Sequence, residues 1–313
     1  MASTLTRDTR PDAALPETAP SAAVPDARTS AQRPPYRFRL WHLPLYFVLV
    51  VGALIAVLPF LWMVSTSLMS LGETIQRQLL PSTPRWENYL EAWSGANFGR
   101  YFLNTVVITG VTVTGVLVTS VLAAYAFARI DFWGRDVIFT VLLATMMVPD
   151  VVTLIPNFLT IRGDIFPLPG GTWINRLPAL TVPFMAQAFM IFLLRQFFMK
   201  IPWDLWDAAR LDGAGHLRFL LWVVVPMSTA PLLTVTLLSV MASWNSFLWP
   251  LVVTSDDSWR PIMVGLQRFN TEGGQQTHLV MAAALIAMLP ILILYFLVQK
   301  RFTDAFASSG LKG

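Results

Sequence analysis

The chain has 313 residues, of which 55% are hydrophobic and 13% charged, against roughly 25% charged residues in an ordinary soluble domain. It has no cysteine and three widely separated histidines, His42, His216 and His278, which excludes a disulfide framework and a thiolate metal site and argues against a histidine cluster. The formal charge of +4 is a basic excess that, in a membrane chain, belongs to cytoplasmic loops rather than to nucleic-acid recognition.

Residues 1–35 are rich in Ala, Pro, Thr and Ser and poor in bulky apolar side chains, so they read as a disordered cytoplasmic tail that cannot bury enough surface to offset ordering. Asp8, Asp12, Glu17 and Asp26 argue against a transit peptide, which is poor in acids. From residue 36 to 313 the chain reads as one transmembrane domain. Its six apolar stretches run approximately Leu45 to Leu68, Tyr101 to Ala128, Val137 to Leu159, Pro178 to Leu194, Leu221 to Trp249 and Leu279 to Val298. Each approaches the roughly 20 helical residues that cross a hydrocarbon core of about 30 Å. The first is too long for a signal peptide and lacks a small-residue cleavage site, so it is expected to stay as an anchor.

Orientation follows from Lys and Arg, which concentrate in short cytoplasmic loops. With the N-terminus inside, Arg129, Arg135, Arg195, Lys200, Arg210 and Arg218 fall on the inner flanks, together with basic residues at both termini. The smaller outer set is Arg77, Arg85, Arg100, Arg162, Arg176, Arg260 and Arg268. Both termini are therefore expected in the cytoplasm.

Within the six stretches the one ionisable side chain is Asp150. An ion-coupled transporter usually carries several intramembrane carboxylates or histidines, and a membrane hydrolase needs a nucleophile with its base or a metal set. An energy source outside the membrane would explain a nearly uncharged pump, although a channel would also lack such groups. Asp150 lies in MMVPDVVTLIPNF, where Pro149 and Pro156 each remove a helical hydrogen bond. On one reading Asp150 and Asn157 face a translocation path, where carboxylate and amide bond the hydroxyls of a polar solute. On the other, Asp150 caps a short helix after the break.

The loop at about 199–220 reads MKIPWDLWDAARLDGAGHLRF. Pro202 suits a first helical turn, Asp204 and Asp207 suit the positive end of the helix dipole, and Arg210 lies three residues from Asp207 on the same face. A helix is expected from Pro202 to Leu211, closed by Gly213 in a left-handed conformation. Ala208, Ala209, Ala214 and Gly215 allow close approach, so the loop is either a knob for a partner's socket or an ordinary interfacial hairpin.

The run DAARLDGAG followed by Pro226 resembles the EAA motif of ATP-binding-cassette importer permeases. The family's positions fall on Asp207, Ala208, Ala209, Gly213 and Pro226, with Asp207 standing where Glu is usual. SWNSFLWPLVVTSDDSWRPIMVGLQRF resembles the matching stretch of maltose-type sugar permeases, with Ser246 in place of a frequent Glu. NTVVITG at Asn104 and the tail QKRFTDAFASSGLKG (299–313) are similar too, so the resemblance covers roughly 36–313. It implies an all-α membrane protein of six transmembrane helices with the type I importer permease fold, in a bacterial cytoplasmic membrane. It also implies a second homologous permease, two ATP-binding subunits that hold ATP and Mg, and an extracytoplasmic solute-binding protein. The coupling loop, and the tail through Lys312 and Gly313, are implied to contact the ATPase. No GxxxxGK[ST] phosphate loop occurs in the sequence, so no cofactor is expected in this chain and it is not expected to be an enzyme.

An ion-coupled secondary transporter or channel is the alternative, separable by whether transport needs ATP or an ion gradient. Trp203, Trp206, Trp249 and Trp259 fall near span ends, where tryptophan anchors at the membrane interface. Trp244 and Asn245 fall within the fifth stretch and join Asp150 and Asn157 as candidate pathway residues.

Overall fold

The computed structural model describes residues 43–95, 97–271 and 274–310. The N-terminal tail, Lys312 and Gly313 lie outside the described residues. The chain divides into a unit ending at Leu54 and a unit from Ile55 onward. The described part of the first, Leu43–Leu54, is helical and buries none of its side chains.

In chain order the helices are α1 Leu43–Ser67, α2 Leu71–Ile75, α3 Glu87–Gly95, α4 Phe98–Arg129, α5 Arg135–Thr145, α6 Asp150–Arg162, α7 Leu177–Thr181 and α8 Ala188–Phe198. They continue with α9 Asp204–Leu211, α10 His216–Phe219, α11 Val225–Met227, α12 Thr229–Trp244, α13 Leu248–Val253, α14 Ile262–Gly265 and α15 Thr277–Gly310. A two-residue antiparallel ladder, Asn270–Thr271 with Gly274–Gln275, precedes α15. The fold is otherwise helical among the described residues, as expected.

Of the six expected spans, α1, α4 and the Thr277–Gln299 part of α15 are single helices long and apolar enough to cross a membrane. The other three are bent pairs: α5 with α6 at 101°, Leu177–Phe184 with α8 at 43°, and His216–Met227 with α12 at 82°. Prolines account for the breaks. Pro149 precedes α6 with φ −62° and ψ 138°, because its ring and its effect on Val148 oppose helix continuation. Pro226 follows a π-helical turn at Leu220–Val224, and the two together are recognised causes of a sharp kink. The fifth stretch was expected at approximately Leu221 to Trp249. It is interrupted at Ser228 and again between α12 and α13.

α4 is the spine of the second unit, and at 1.5 Å per residue its 32 residues span roughly 48 Å. Three apolar clusters hang on it. Near its start Phe98 and Tyr101 pack with Ile262, Phe269 and Ala282. In its middle Ile108 packs with Ile161, Leu180, Trp249 and Val253. Toward its end Val116, Ala124, Tyr125 and Phe127 pack with Leu194, Phe198, Phe219, Leu220 and Val224. The approach is close enough that a Cβ at Gly115 would collide with the Met185 side chain.

Polar side chains pin the loops to this frame. Asn104 Nδ2 donates to the carbonyls of Ser258 and Arg260, both at 3.0 Å, and the Ile262 N–H donates to Thr105 Oγ1 at 2.8 Å. Asn88 Nδ2 bridges the carbonyls of Ser67 and Met69 at 2.8 Å. Buried donors in an apolar setting are costly unless paired, which is why amides sit where free carbonyls end a helix.

Candidate functional site

The loop between α8 and α10 forms a helix, two residues shorter than expected. It begins at Asp204 rather than Pro202, because the Trp203 carbonyl is the first acceptor, taking the N–H groups of Trp206 and Asp207 at 2.8 and 3.1 Å. Asp204 and Asp207 occupy its first turn, where negative charge faces the positive end of the dipole. Its end follows the sequence logic. Gly213 has φ +76°, its N–H donates to the Arg210 carbonyl at 3.0 Å, and the Ala214 N–H donates back to the Ala209 carbonyl at 2.8 Å. That pair of bonds is a Schellman closure, which glycine enters without strain. Among the described residues Asp207 and Arg210 make no ion pair, and the Arg210 guanidinium instead lies 6.0 Å from the Trp206 ring centre.

The two sides of α9 differ. Trp206 and Ala209 pack against the cluster at the end of α4, while Leu205, Asp207, Ala208 and Arg210 are exposed. Leu211 is 91% exposed, an apolar side chain held out on a rigid stub. Pro226 lies outside the helix at the 82° bend, so its part is to redirect the chain back from the loop.

What holds the stub in place was not legible in the motif. Tyr125, on the last two turns of α4 and 4% exposed, is 2.9 Å through its hydroxyl from His216 Nδ1. The His216 ring lies flat against Trp206, 4.3 Å between centres and 17° from parallel. Such aromatic pairs contribute about 0.5–1.5 kcal/mol beyond buried area. One turn on, Arg129 donates through Nε and Nη2 to the Phe198 carbonyl at 3.2 and 2.7 Å, and through Nη2 to the Ile201 carbonyl. Its guanidinium lies 4.6 Å from the Trp203 ring centre. Arg129, counted from sequence as a loop charge, is buried. It is held by carbonyls at the negative end of α8 and by an indole face.

The candidate pathway residues are placed as follows. Asp150 is the first residue of α6, exposed at the 101° bend, with Pro149 in the capping position. Asn157 lies two turns on and is half-buried, a spacing that puts both on one helix face. Trp244 and Asn245 sit at the end of α12 rather than mid-span. Trp244 is 6% exposed; its Nε1–H donates to the Ala287 carbonyl at 3.0 Å and Phe102 meets it edge-on at 5.8 Å. Asn245 is exposed, with its Nδ2 bonded to the Met241 carbonyl at 2.8 Å. Trp249, read from sequence as an interface anchor, is buried and donates to the Ala179 carbonyl at 2.9 Å.

At the start of α4 a second polar network orders the loop after α13. Asp257 accepts from Arg260 at 3.0 Å and from Arg268. Burial alone would raise its carboxyl, but hydrogen bonds from Tyr101 and Arg268 and the nearby guanidinium charges hold it below the usual carboxylate range. Asn175 Oδ1 accepts the Ser255 N–H at 2.6 Å. This network and the α9 stub are thus at opposite ends of one long helix.

Residues 115–307 match the family described as binding-protein-dependent transport system inner membrane component. The chain belongs to that family. This importer permease is 32% identical over 267 residues to the diacetylchitobiose uptake system permease protein NgcG of Streptomyces coelicolor, covering 82% of this chain and 85% of that protein. It is 30% identical over 274 residues to the sn-glycerol-3-phosphate transport system permease protein UgpE of Yersinia enterocolitica, covering 84% and 94%. Its fold is similar to a chain in the crystal structure of a bacterial ABC transporter involved in the import of the acidic polysaccharide alginate. The TM-score there is 0.74 at 27% identity, over 84% of this chain and 97% of that one.

Proposed function

We propose that this importer permease carries a carbohydrate or closely related polyhydroxyl solute, delivered by an extracytoplasmic binding protein. It forms the pathway with a second permease and docks through α9 on one of two ATP-binding subunits. Those subunits hold the ATP and Mg and carry out hydrolysis. The observation that carries the docking assignment is the α9 stub itself: Leu211 held out at 91% exposure on a helix whose other face is fixed to α4. An apolar side chain in that position is suited to a pocket on a partner. The relatives' solutes, diacetylchitobiose, glycerol phosphate and alginate, support a hydroxyl-rich cargo.

In this reading both termini are cytoplasmic, as is α9, and the Asp257 network faces outward in the cytoplasmic membrane of a bacterium. Lys312 and Gly313 add a second contact with the ATPase. Asp150, Asn157 and Asn245 supply polar groups to the pathway, and Trp244 supports that end of α12 from behind. The test is reconstitution of the complex isolated with its partners into sealed vesicles. Uptake of a labelled chito-oligosaccharide or alginate oligosaccharide should require ATP on the α9 side and proceed without an ion gradient. Uptake driven by a sodium or proton gradient with no ATP would replace this reading with an ion-coupled transporter.

A further inference from the structure

The polar and aromatic contacts at the end of α4 do more than pack a loop. Tyr125 reaches the residue after the Gly215 turn, Trp206 from the middle of α9 closes over that same residue, and Arg129 reaches both the end of α8 and Trp203, which opens α9. Entry, middle and exit of the coupling loop are therefore all referred to five consecutive residues of one helix, Tyr125–Arg129. The loop's own closure, through Gly213 and Ala214, makes α9 rigid but does not attach it to anything. Without the clamp, a push on Leu211 would be taken up by rotation about the connections on either side of α9, residues 201–203 and 212–215.

We propose that the Tyr125–His216–Trp206 clamp, with Arg129, positions α9 and passes its displacement to α4, so that His216 and Tyr125 are positioning residues for coupling. The proposal rests on the reading that α9 docks on an ATP-binding subunit. His216 is the hinge pin of the arrangement because two independent contacts converge on its ring: a hydrogen bond from the side, 2.9 Å at Nδ1, and a stack on its face. Loss of either should leave the loop folded, since the Schellman bonds and the Arg129–carbonyl bonds remain.

The test uses the assembled complex and ATP with vanadate to trap the nucleotide-bound state, followed by amide hydrogen exchange in α9 and in the last turn of α4. In the unaltered complex trapping should change exchange in both segments. Tyr125→Phe removes only the hydrogen bond and keeps the ring; His216→Ala removes both contacts. In each variant α9 should still respond to trapping, while the response at the end of α4 should fall about two- to tenfold, the factor that one net hydrogen bond represents. If His216→Ala fails to assemble, Tyr125→Phe alone decides. An undiminished α4 response in Tyr125→Phe or His216→Ala overturns the clamp while leaving docking intact. No response in α9 of the unaltered complex overturns the docking reading, and the clamp proposal with it.

Discussion

The Trp244 indole donates its N–H to the Ala287 carbonyl at 3.0 Å, which fastens the last residue of α12 to α15 while the Phe102 edge from α4 closes the third side. Three helices meet on one side chain. Trp244→Phe keeps a ring and removes the donor, so the expected result is a loss of about 1 kcal/mol with an unaltered solute profile. Thermal unfolding in detergent and a competition series with different oligosaccharides measure the two. A changed profile with unchanged unfolding would return Trp244 to the pathway.

Gly213 has φ +76° and nothing within 4 Å of the position its Cβ would take, so a substitution there is felt by the backbone alone. Gly213→Val should cost about 1 kcal/mol or more of local order, and Gly213→Asn less, because Asn enters the left-handed region more readily. Tryptic cleavage at Arg210 and Arg218 reports the loosening, and solute-stimulated ATP hydrolysis should fall while membrane insertion stays normal. Equal behaviour of the Val and Asn variants would count against the closure as the source of rigidity.

Much of the fold was legible because lipid demands long apolar runs. α1, α4 and α15 are continuous in sequence and continuous in space. The breaks at Pro149 and near Pro183 were legible in part, since proline marks where a helix stops. It does not fix the angle, which packing sets, and so a 101° bend and a 43° bend look alike on paper. The bend at Ser228 was legible only in part, because Pro226 and Pro231 mark an interruption but the π turn before it has no composition of its own. Asp150 illustrates the same limit, since its charge suggested a cap or a pathway group and it stands one residue inside the helix that Pro149 opens. In the loop between α8 and α10, α9 and its Gly213 closure were legible because they are local. The clamp joins Tyr125, Arg129, Trp206 and His216 across long sequence separations, so no pattern in the chain announces it.

Glu73 closes the loop after α2 from both ends. Its carboxylate accepts the Ser70 N–H at 2.7 Å and the Ser82 N–H at 2.9 Å, and these bonds, led by that from Ser70, lower its carboxyl from 4.5 to about 2. A carboxyl lowered in the folded state contributes its full stabilisation above pH 4.5 and loses it as pH falls toward 2. Order in residues 70–82 should therefore be flat through neutral pH and decline across that acid window. At pH 7, Glu73→Gln should already show faster amide exchange at Ser70 and Ser82. Identical exchange in the variant would show that the carboxylate does not hold the loop.

Asn245 is exposed at the end of α12, and among the described residues its amide bonds back to its own helix at the Met241 carbonyl. Asn245→Leu should change which oligosaccharides are carried, or their apparent affinity, without lowering the yield of assembled complex. Assembly and transport measured on one preparation separate the outcomes. A lowered yield with an unaltered solute profile would make the residue structural.

The central claim is that α9 seats its exposed face in an ATP-binding subunit, and Leu211, 91% exposed, is its most exposed large apolar side chain. The chain has no native cysteine, so Leu211→Cys introduces a single reactive site. In the complex isolated with its partners, a benzophenone maleimide attached to this cysteine should on irradiation insert into a C–H bond of the ATP-binding subunit and join the two, and the joined complex should lose solute-stimulated ATP hydrolysis. The same cysteine placed at Trp133, exposed on the loop between α4 and α5, serves as the comparison. A Leu211→Cys complex that stays freely modified by soluble maleimide and forms no link to the ATP-binding subunit would contradict the account.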